Sequence, residues 1–260
     1  MTEPKVFLIA RPSIDHDAIE AWLEHIEAKG CLRHIAGQDI ERLLELAGRR
    51  CYKSFVPGLN PNVTKVREDS RKYHENVISQ RHGSVLEHGM YTFAFEGVSR
   101  VFTHELVRHR VGTAFSQESL RYVRLTGEIP HWVPPIIRDN PQALALFEQT
   151  FLALGQAQDK LAEIFAEQLA GDFAFKKELT SAFRRIAPIG LATGIVFSAN
   201  VRTLRHLIPL RTAPSAEYEM RVVFGVVARM MLDEAPMLFP DMEVVKEGGL
   251  AHYRLKHEKV

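Results

Sequence analysis

Between residues 90 and 106 the spacing of apolar side chains changes period. In "MYTFAFEG", Tyr91, Phe93 and Phe95 alternate with Met90, Thr92 and Ala94, the two-residue repeat of a strand with one buried face. In "VSRVFTHELVRHR", Val98, Val101, Phe102 and Leu106 recur at helical spacing. A strand that runs almost directly into a helix requires a fold in which sheet and helices share a core. The rest of the chain agrees. "KVFLIA" is strand-like, and "DHDAIEAWLEHIEAKG", from an acidic cap to a glycine, reads as a helix, as does "DIERLLELAGRRCY". "NVTKVREDSRKYHENVISQRHGS" keeps Val66, Tyr73 and Val77 at helical spacing.

Later segments extend this pattern. "LRYVRLTGEIPHWVPP" is expected to be a strand that stops at its prolines. Residues 141–186 are rich in helix formers, with Gly155 and Gly171 expected as interruptions of one long helix. "FSANVRTLRHLIPLR" and "EYEMRVVFGVVARMMLDEA" read as two further helices. The expectation is an α+β fold, with a sheet in the first half and helices in the second. No repeat or convincing boundary divides it, so residues 1–260 are read as a single domain.

Charge narrows the functional classes. Thirty-three Lys and Arg face thirty-two Asp and Glu, a net charge of +1, which argues against the broad basic field of a nucleic-acid or membrane-surface binder. Two cysteines, Cys31 and Cys51, make neither a zinc pattern nor a disulfide framework and suit a reducing compartment. The N-terminal apolar run is short and flanked by charges, so it reads as a strand rather than a signal peptide. No apolar run reaches membrane-spanning length, and a cytoplasmic location is expected.

Against this balance, the stretch "RHRVGTAFSQESLRYVR" gathers Arg108, His109, Arg110, Arg121 and Arg124 in one loop and its flanks. Their mutual repulsion is relieved by a bound anion, and the planar guanidinium fork donates two parallel hydrogen bonds to phosphate. Ser hydroxyls and loop N–H groups complete such a cradle, and Gln117 carries the carboxamide that pairs with a pyrimidine edge. The spacing therefore fits a nucleotide. A second cluster, "NVRTLRHLIPLR", places Asn200, Arg202, Arg205, His206 and Arg211 on a helix, with positions 202, 205 or 206, and 209 on one face. Arg184 and Arg185 alone read as a surface pair. His88 alone reads as a hydrogen-bonded structural residue, and Cys51 as buried and inert. No GxGxxG and no phosphate-binding glycine loop occurs, so a dinucleotide would not be held in a Rossmann fold.

Arg108-His109-Arg110, the spacer "VGTAFSQE", and Ser119-Leu120-Arg121-Tyr122 resemble the signature of the flavin-dependent thymidylate synthases, a family unrelated to the synthase that uses a cysteine nucleophile. "AGRRCY", "LEHGMYTF" and "NVRTLRHLIPLRTAPSAEYEMR" follow in the family's order, so the resemblance covers about residues 44–225. The spacer is one residue longer than is usual, and His206 stands where the family often has Asn.

The resemblance implies an α+β subunit, with a mixed or antiparallel sheet and packed helices, that assembles as a homotetramer with active sites shared between subunits. It implies FAD near His88, Arg108, His109, Arg110, Asn200, Arg202 and His206. It places the nucleotide phosphate by Ser119, Arg121 and Arg184, the uracil ring by Gln117 and Arg211, and further nucleotide contacts at Glu105 and Arg108. Arg211 and Ser119 are the implied catalytic residues. The implied reaction converts dUMP to dTMP, with methylenetetrahydrofolate as carbon donor and NADPH as reductant; no metal and no protein nucleophile take part. Two readings stand beside it: the same chemistry on UMP, suggested by the longer spacer and His206, and a non-catalytic flavin or nucleotide binder.

Overall fold

A computed structural model describes residues 1–247 and 249–258. In chain order the elements are β1 (Lys5–Ala10), α1 (His16–His25), α2 (Asp39–Tyr52), α3 (Ser70–Ser79), β2 (Met90–Ser99), α4 (Arg100–Leu106), β3 (Thr113–Gln117), α5 (Pro135–Arg138), α6 (Pro141–Ile164), α7 (Ala166–Ala170), α8 (Phe173–Phe183), β4 (Ala192–Asn200), α9 (Val201–Thr212), α10 (Tyr218–Glu234), β5 (Met242–Glu247) and β6 (Leu250–Leu255). Four strands form a sheet in the order β1-β2-β4-β3, and β5 pairs antiparallel with β6. The fold is α+β. No helix among the described residues is long and apolar enough to cross a membrane.

Two strand-to-helix junctions shape the region of interest. β2 passes into α4 with no intervening loop because Ser99 leaves the strand in extended conformation and its hydroxyl accepts the Phe102 N–H at 3.1 Å. β4 passes into α9 in the same way, the Asn200 carboxamide accepting the Thr203 N–H at 2.8 Å. Such caps satisfy donors that the first helical turn otherwise leaves unpaired. Each junction carries an alternating apolar strand directly into a helix.

By its contacts the chain divides into two compact units, and every strand of the larger sheet contributes residues to both. One unit comprises Met1–Phe7, Ala94–His109 and Phe115–Phe197. Its core includes Phe95, Phe102 and Phe197, with the half-buried Phe115 stacked on Phe197; the ring centroids of Phe95–Phe102, Phe95–Phe197 and Phe115–Phe197 lie 5.5–5.7 Å apart. Fully burying a side chain of this size stabilises by about 1.5–3 kcal/mol. A second cluster, Leu120, Ile129, Phe151 and Leu191, fastens residues 118–134 to α6. The other unit comprises Leu8–Phe93, Arg110–Ala114 and Ser198–Val260. There Leu23, Cys31, Leu46 and Phe55 form one core cluster, with Trp22 edge-on to Phe55 at 5.5 Å.

Several expectations are corrected. Residues 120–134 form turns rather than a strand; a single bridge, His131 to Leu191, is their only ladder pairing among the described residues. Prolines 130, 134 and 135 remove donors, and the Gly127 N–H is spent on the Asp159 carboxylate at 3.0 and 3.1 Å. Helix α6 runs straight through Gly155 and does not break there. Gly155 is needed because a Cβ at that position would collide with the Gly127 carbonyl oxygen. Gly171, by contrast, does separate α7 from α8. Val66 precedes α3 and is not helical, and Val98 belongs to β2. The sheet is not confined to the first half, since β4 lies within it.

Candidate functional site

The first unit holds Glu105, Arg108, His109, Gln117, Ser119, Arg121 and Arg184. The backbone of α4 tightens at its end, where the Arg108 N–H donates to the Glu105 carbonyl at 3.3 Å and the His109 N–H to that of Leu106 at 3.1 Å. Arg108 is exposed, and Glu105 and His109 are half-buried. Gln117, at the end of β3, donates through Nε2 to Thr103 Oγ1 at 3.1 Å, which fixes its carboxamide. Glu118 follows and acts as an anchor. Its N–H donates to the Gly194 carbonyl at 3.1 Å, and its carboxylate accepts from Thr193 Oγ1 at 3.2 Å and the Gly194 N–H at 3.4 Å. Ser119 then opens a turn in which its carbonyl accepts the Tyr122 and Val123 N–H groups and its Oγ accepts that of Arg121 at 3.4 Å. Arg121 is exposed, with its guanidinium 6.0 Å from the Tyr122 ring centre.

Arg100 supports this turn from the start of α4. Its Nη2 donates to the Glu118 carbonyl at 3.0 Å, while its Nε is buried without a hydrogen-bond partner among the described residues. Burial holds the guanidinium below its ordinary value; the Glu118 carboxylate opposes this shift and Arg184 adds to it. Arg100, His104, Arg184 and Arg185 border a recess of 390 Å³ whose remaining lining is Leu120, Ala187, Pro188, Ile189 and Leu191. Among the described residues, four basic side chains and no carboxylate line this space, a donor set chemically suited to an anion. Arg184 and Arg185 are both exposed, as a surface pair would be, and both border this recess.

The second unit holds His88, Arg110, Asn200, Arg202, His206 and Arg211. His88 ends the short turn Gly83–His88 and is exposed. The segment carrying Arg110 is tied to the start of α9, because the Asn200 N–H donates to the Gly112 carbonyl at 3.0 Å and Thr203 Oγ1 to that of Val111 at 2.8 Å. Gly112 has φ +67°, and a Cβ there would strike the Asn200 carboxamide. Asn200 is buried and its oxygen is committed to the helix cap. Arg202 and His206, four apart on α9, are both exposed; Arg202 pairs with Glu87 at 2.5 Å. Arg211 is half-buried in the last turn.

Two expectations change here. Arg205 does not share a face with Arg202. It is 1% exposed and holds Asp241 at 2.9 and 3.0 Å, the Leu238 carbonyl at 2.7 Å and the His257 carbonyl at 3.2 Å. Three positions of helical rotation carry it to the core side, so it is a structural cation. Cys51 is exposed rather than buried, whereas Cys31 is the buried thiol, pushed up to about 11 by desolvation. Arg100, His104 and Glu118 were missed from sequence. Glu118 lay in full view inside the "SQES" run, but nothing local distinguishes an anchoring carboxylate from a solvated one.

This arrangement coincides with similarity to known proteins. Residues 33–237 match the family model described as thymidylate synthase complementing protein. A flavin-dependent thymidylate synthase of Corynebacterium efficiens is 32% identical over 94% of this chain and 93% of its own length. One from Mycobacteroides abscessus is 35% identical over 78% of this chain and 79% of its own. The chain belongs to the flavin-dependent thymidylate synthase family.

Among solved structures, thymidylate synthase X of Helicobacter pylori, crystallised with FAD and dUMP, superposes with TM-score 0.54 at 24% identity, covering 77% of this chain and 93% of that one. A UMP/dUMP methylase, PolB of Streptomyces cacaoi, bound with 5-Br UMP, superposes with TM-score 0.58 at 16% identity over 92% of each. These structural likenesses establish the fold, and the sequence relatives establish an enzyme of this kind. In this family member the residues singled out from sequence fall into two sets. Most of those implied for the nucleotide lie in the first unit, and most of those implied for the cofactor lie in the second; Arg211 is the exception to the former, and Arg108 and His109 are exceptions to the latter.

Proposed function

We propose that the protein methylates C5 of a uracil nucleotide, converting dUMP to dTMP, with FAD as cofactor, methylenetetrahydrofolate as carbon donor and NADPH as reductant. The observation that supports this reading is the recess bordered by Arg100, His104, Arg184 and Arg185, which among the described residues is lined by no carboxylate, with a buried guanidinium N–H that has no partner among those residues beside the braced Gln117–Ser119 turn. A buried donor without a partner costs about 1–3 kcal/mol, which a phosphate oxygen would restore. Ser119, Arg121 and Arg184 then hold the phosphate, Gln117 meets the pyrimidine edge, and Glu105 and Arg108 contact the nucleotide.

The donor set also suits a flavin dinucleotide. Arg110, Arg202 and His206 are exposed donors for a pyrophosphate, beside a Gly112 backbone that has no side chain in the way, and Arg108, His109, Asn200 and His88 join them in this reading. FAD supplies the hydride chemistry when bound. The chain's own part is placement and charge. As C5 becomes nucleophilic, negative charge grows on the ring carbonyls, and Arg211 is assigned to stabilise it; one preorganised donor contributes roughly 3–4 kcal/mol in such a site. Ser119 is assigned a catalytic part by holding the nucleotide in register. A homotetramer that brings the two residue sets of neighbouring subunits together completes the proposal.

A second reading is the same reaction on UMP. It is favoured by the longer spacer, whose Val111 is 82% exposed and leaves the loop room to differ at the sugar. One experiment tests both. The purified protein is examined for bound flavin by absorbance, then incubated with dUMP or UMP, NADPH and methylenetetrahydrofolate. Formation of dTMP is expected. Methylated product from neither nucleotide would overturn the proposal, and turnover of UMP alone would replace it with the second reading.

A further inference from the structure

The turn that carries Arg211 is the part of α9 least able to hold itself. Pro209 lies inside the helix and has no N–H for the Arg205 carbonyl one turn back, which its ring also pushes aside. Only Leu210, Arg211 and Thr212 remain before the helix ends. Ala213 leaves at once, with φ −59° and ψ 148°, because Pro214 excludes helical geometry from the residue before it. Ala213 is not the left-handed glycine that closes many helices, so the final carbonyls depend on other donors.

Thr212 supplies one. Its side chain is fully buried, and its Oγ1 donates to the Ile208 carbonyl at 2.8 Å. The same oxygen accepts the Tyr253 N–H of β6 at 3.0 Å. A hydroxyl has one hydrogen to give and lone pairs to receive with, so both bonds form together and each polarises the other. One side chain thus closes the turn and ties it to the hairpin.

The hairpin is a fixed post. Tyr253 stands opposite Val244 in the β5–β6 register, is 3% exposed, and its ring edge lies against Gly225 of α10, where a Cβ would stand 4.0 Å from Cε2. At the hairpin's base the Asp241 carboxylate accepts Arg205 and the His257 N–H, each at 2.9 Å, and the Asp241 carbonyl accepts the Lys256 N–H at 3.2 Å. Arg205 and Thr212 lie about two helical turns apart on the buried face of α9, so the hairpin grips that face at two points. Arg211 is half-buried and one residue, about 100° of helical rotation, from the pinned side.

We propose that Thr212 and the β5–β6 hairpin position Arg211. The hydroxyl tie fixes the last turn of α9, and with it the direction of the guanidinium that meets the charge formed on the pyrimidine carbonyls. The inference rests on the reaction proposed above and on the part assigned there to Arg211. Thr212 is sealed from any reactant and acts through its neighbour.

Thr212→Val keeps the shape of the side chain and removes the hydroxyl; Thr212→Ser restores it. Each is made in the full-length, FAD-loaded protein, alone and together with Arg211→Ala. Turnover of dUMP with NADPH and methylenetetrahydrofolate is measured beside amide hydrogen exchange. Thr212→Val is expected to lower kcat by about tenfold, the scale on which a small displacement acts in a positioned site, with KM for dUMP within about twofold of wild type. Exchange at the Arg211 and Tyr253 amides is expected to quicken, and Thr212→Ser to recover both kcat and protection. In the Arg211→Ala background Thr212→Val is expected to lower kcat no further. Equal kcat in Thr212→Val and wild type, with Arg211→Ala still slow, overturns the inference. So does an equal loss with and without Arg211, because the hydroxyl would then serve general stability. Should Thr212→Val fail to fold, Thr212→Ala takes its place in the same comparisons, and a wild-type Tyr253 amide that exchanges as fast as an unprotected one overturns the tie by itself. Wild-type turnover that Arg211→Ala leaves unchanged removes the assignment of Arg211 and the inference with it, a result distinct from the others.

Discussion

Replacing Arg205 by Met separates a structural cation from the functional ones around it. Arg205 is 1% exposed, and its guanidinium makes two contacts to Asp241 and one each to the Leu238 and His257 carbonyls. Methionine fills much of the volume but supplies none of these donors. Breaking a buried ion pair from one side costs about 3–5 kcal/mol, because the remaining charge stays desolvated. The two carbonyls left unpaired add to this, though not additively. A loss of at least about 3 kcal/mol corresponds to a fall in melting temperature of roughly 6–12 °C for a chain of this size. R205M/D241N should recover part of the loss, since no bare carboxylate then remains.

The pair also sets a pH dependence. Burial pushes the Asp241 carboxyl up, but the hydrogen bond and charge of Arg205, aided by the His257 N–H, outweigh burial and hold it below its ordinary value of 3.8. A carboxyl whose folded value is depressed contributes stability that is fully present above the unfolded value and is lost as pH falls through the folded one. Denaturant melts of wild type and Arg205→Met should therefore differ most above pH 3.8 and converge in stronger acid. A loss below about 1 kcal/mol at neutral pH would refute the reasoning, since that is the value of an exposed pair.

Other outcomes follow from the same geometry. Arg100→Gln should weaken binding of dUMP by about tenfold to a hundredfold, as expected for a charged hydrogen bond, and leave deoxyuridine unaffected, read by equilibrium titration. Gly155→Ala should cost about 1–3 kcal/mol in a thermal melt, because its Cβ meets the Gly127 carbonyl and strains the turn segment that follows Ser119. Arg211→Ala should lower kcat by roughly a hundredfold or more with little change in nucleotide affinity; equal losses would end its assignment to charge formed during reaction. His109→Ala should reduce the FAD retained through purification, measured by absorbance of the released flavin.

Local chemistry made much of this molecule legible. The alternation at Tyr91, Phe93 and Phe95 marked β2, and the run Asp39–Tyr52 marked α2 to the residue, because each period matches one face of one element. The motif from Arg108 to Tyr122 and the block around Asn200 to Arg211 pointed to the family through residue identity alone. β4 was missed because Gly194 and small residues dilute its apolar alternation, although Ile195, Phe197 and Ala199 all face the core. β3 spans only Thr113–Gln117, too short for a period to register.

What the sequence determined, then, was the inventory: an even charge balance interrupted by clustered guanidinium groups, and segments whose periods define sheet and helix. Tertiary structure alone decided what each cation does. Arg205 and Arg202 lie three residues apart on one helix, yet one is sealed in the core on Asp241 and the other is exposed beside a cavity. Arg100, which nothing in the sequence singled out, carries a buried donor with no partner among the described residues. The reason is that a charge's role depends on desolvation and on which carboxylates lie within a few ångströms, and both are set by chain segments remote in sequence.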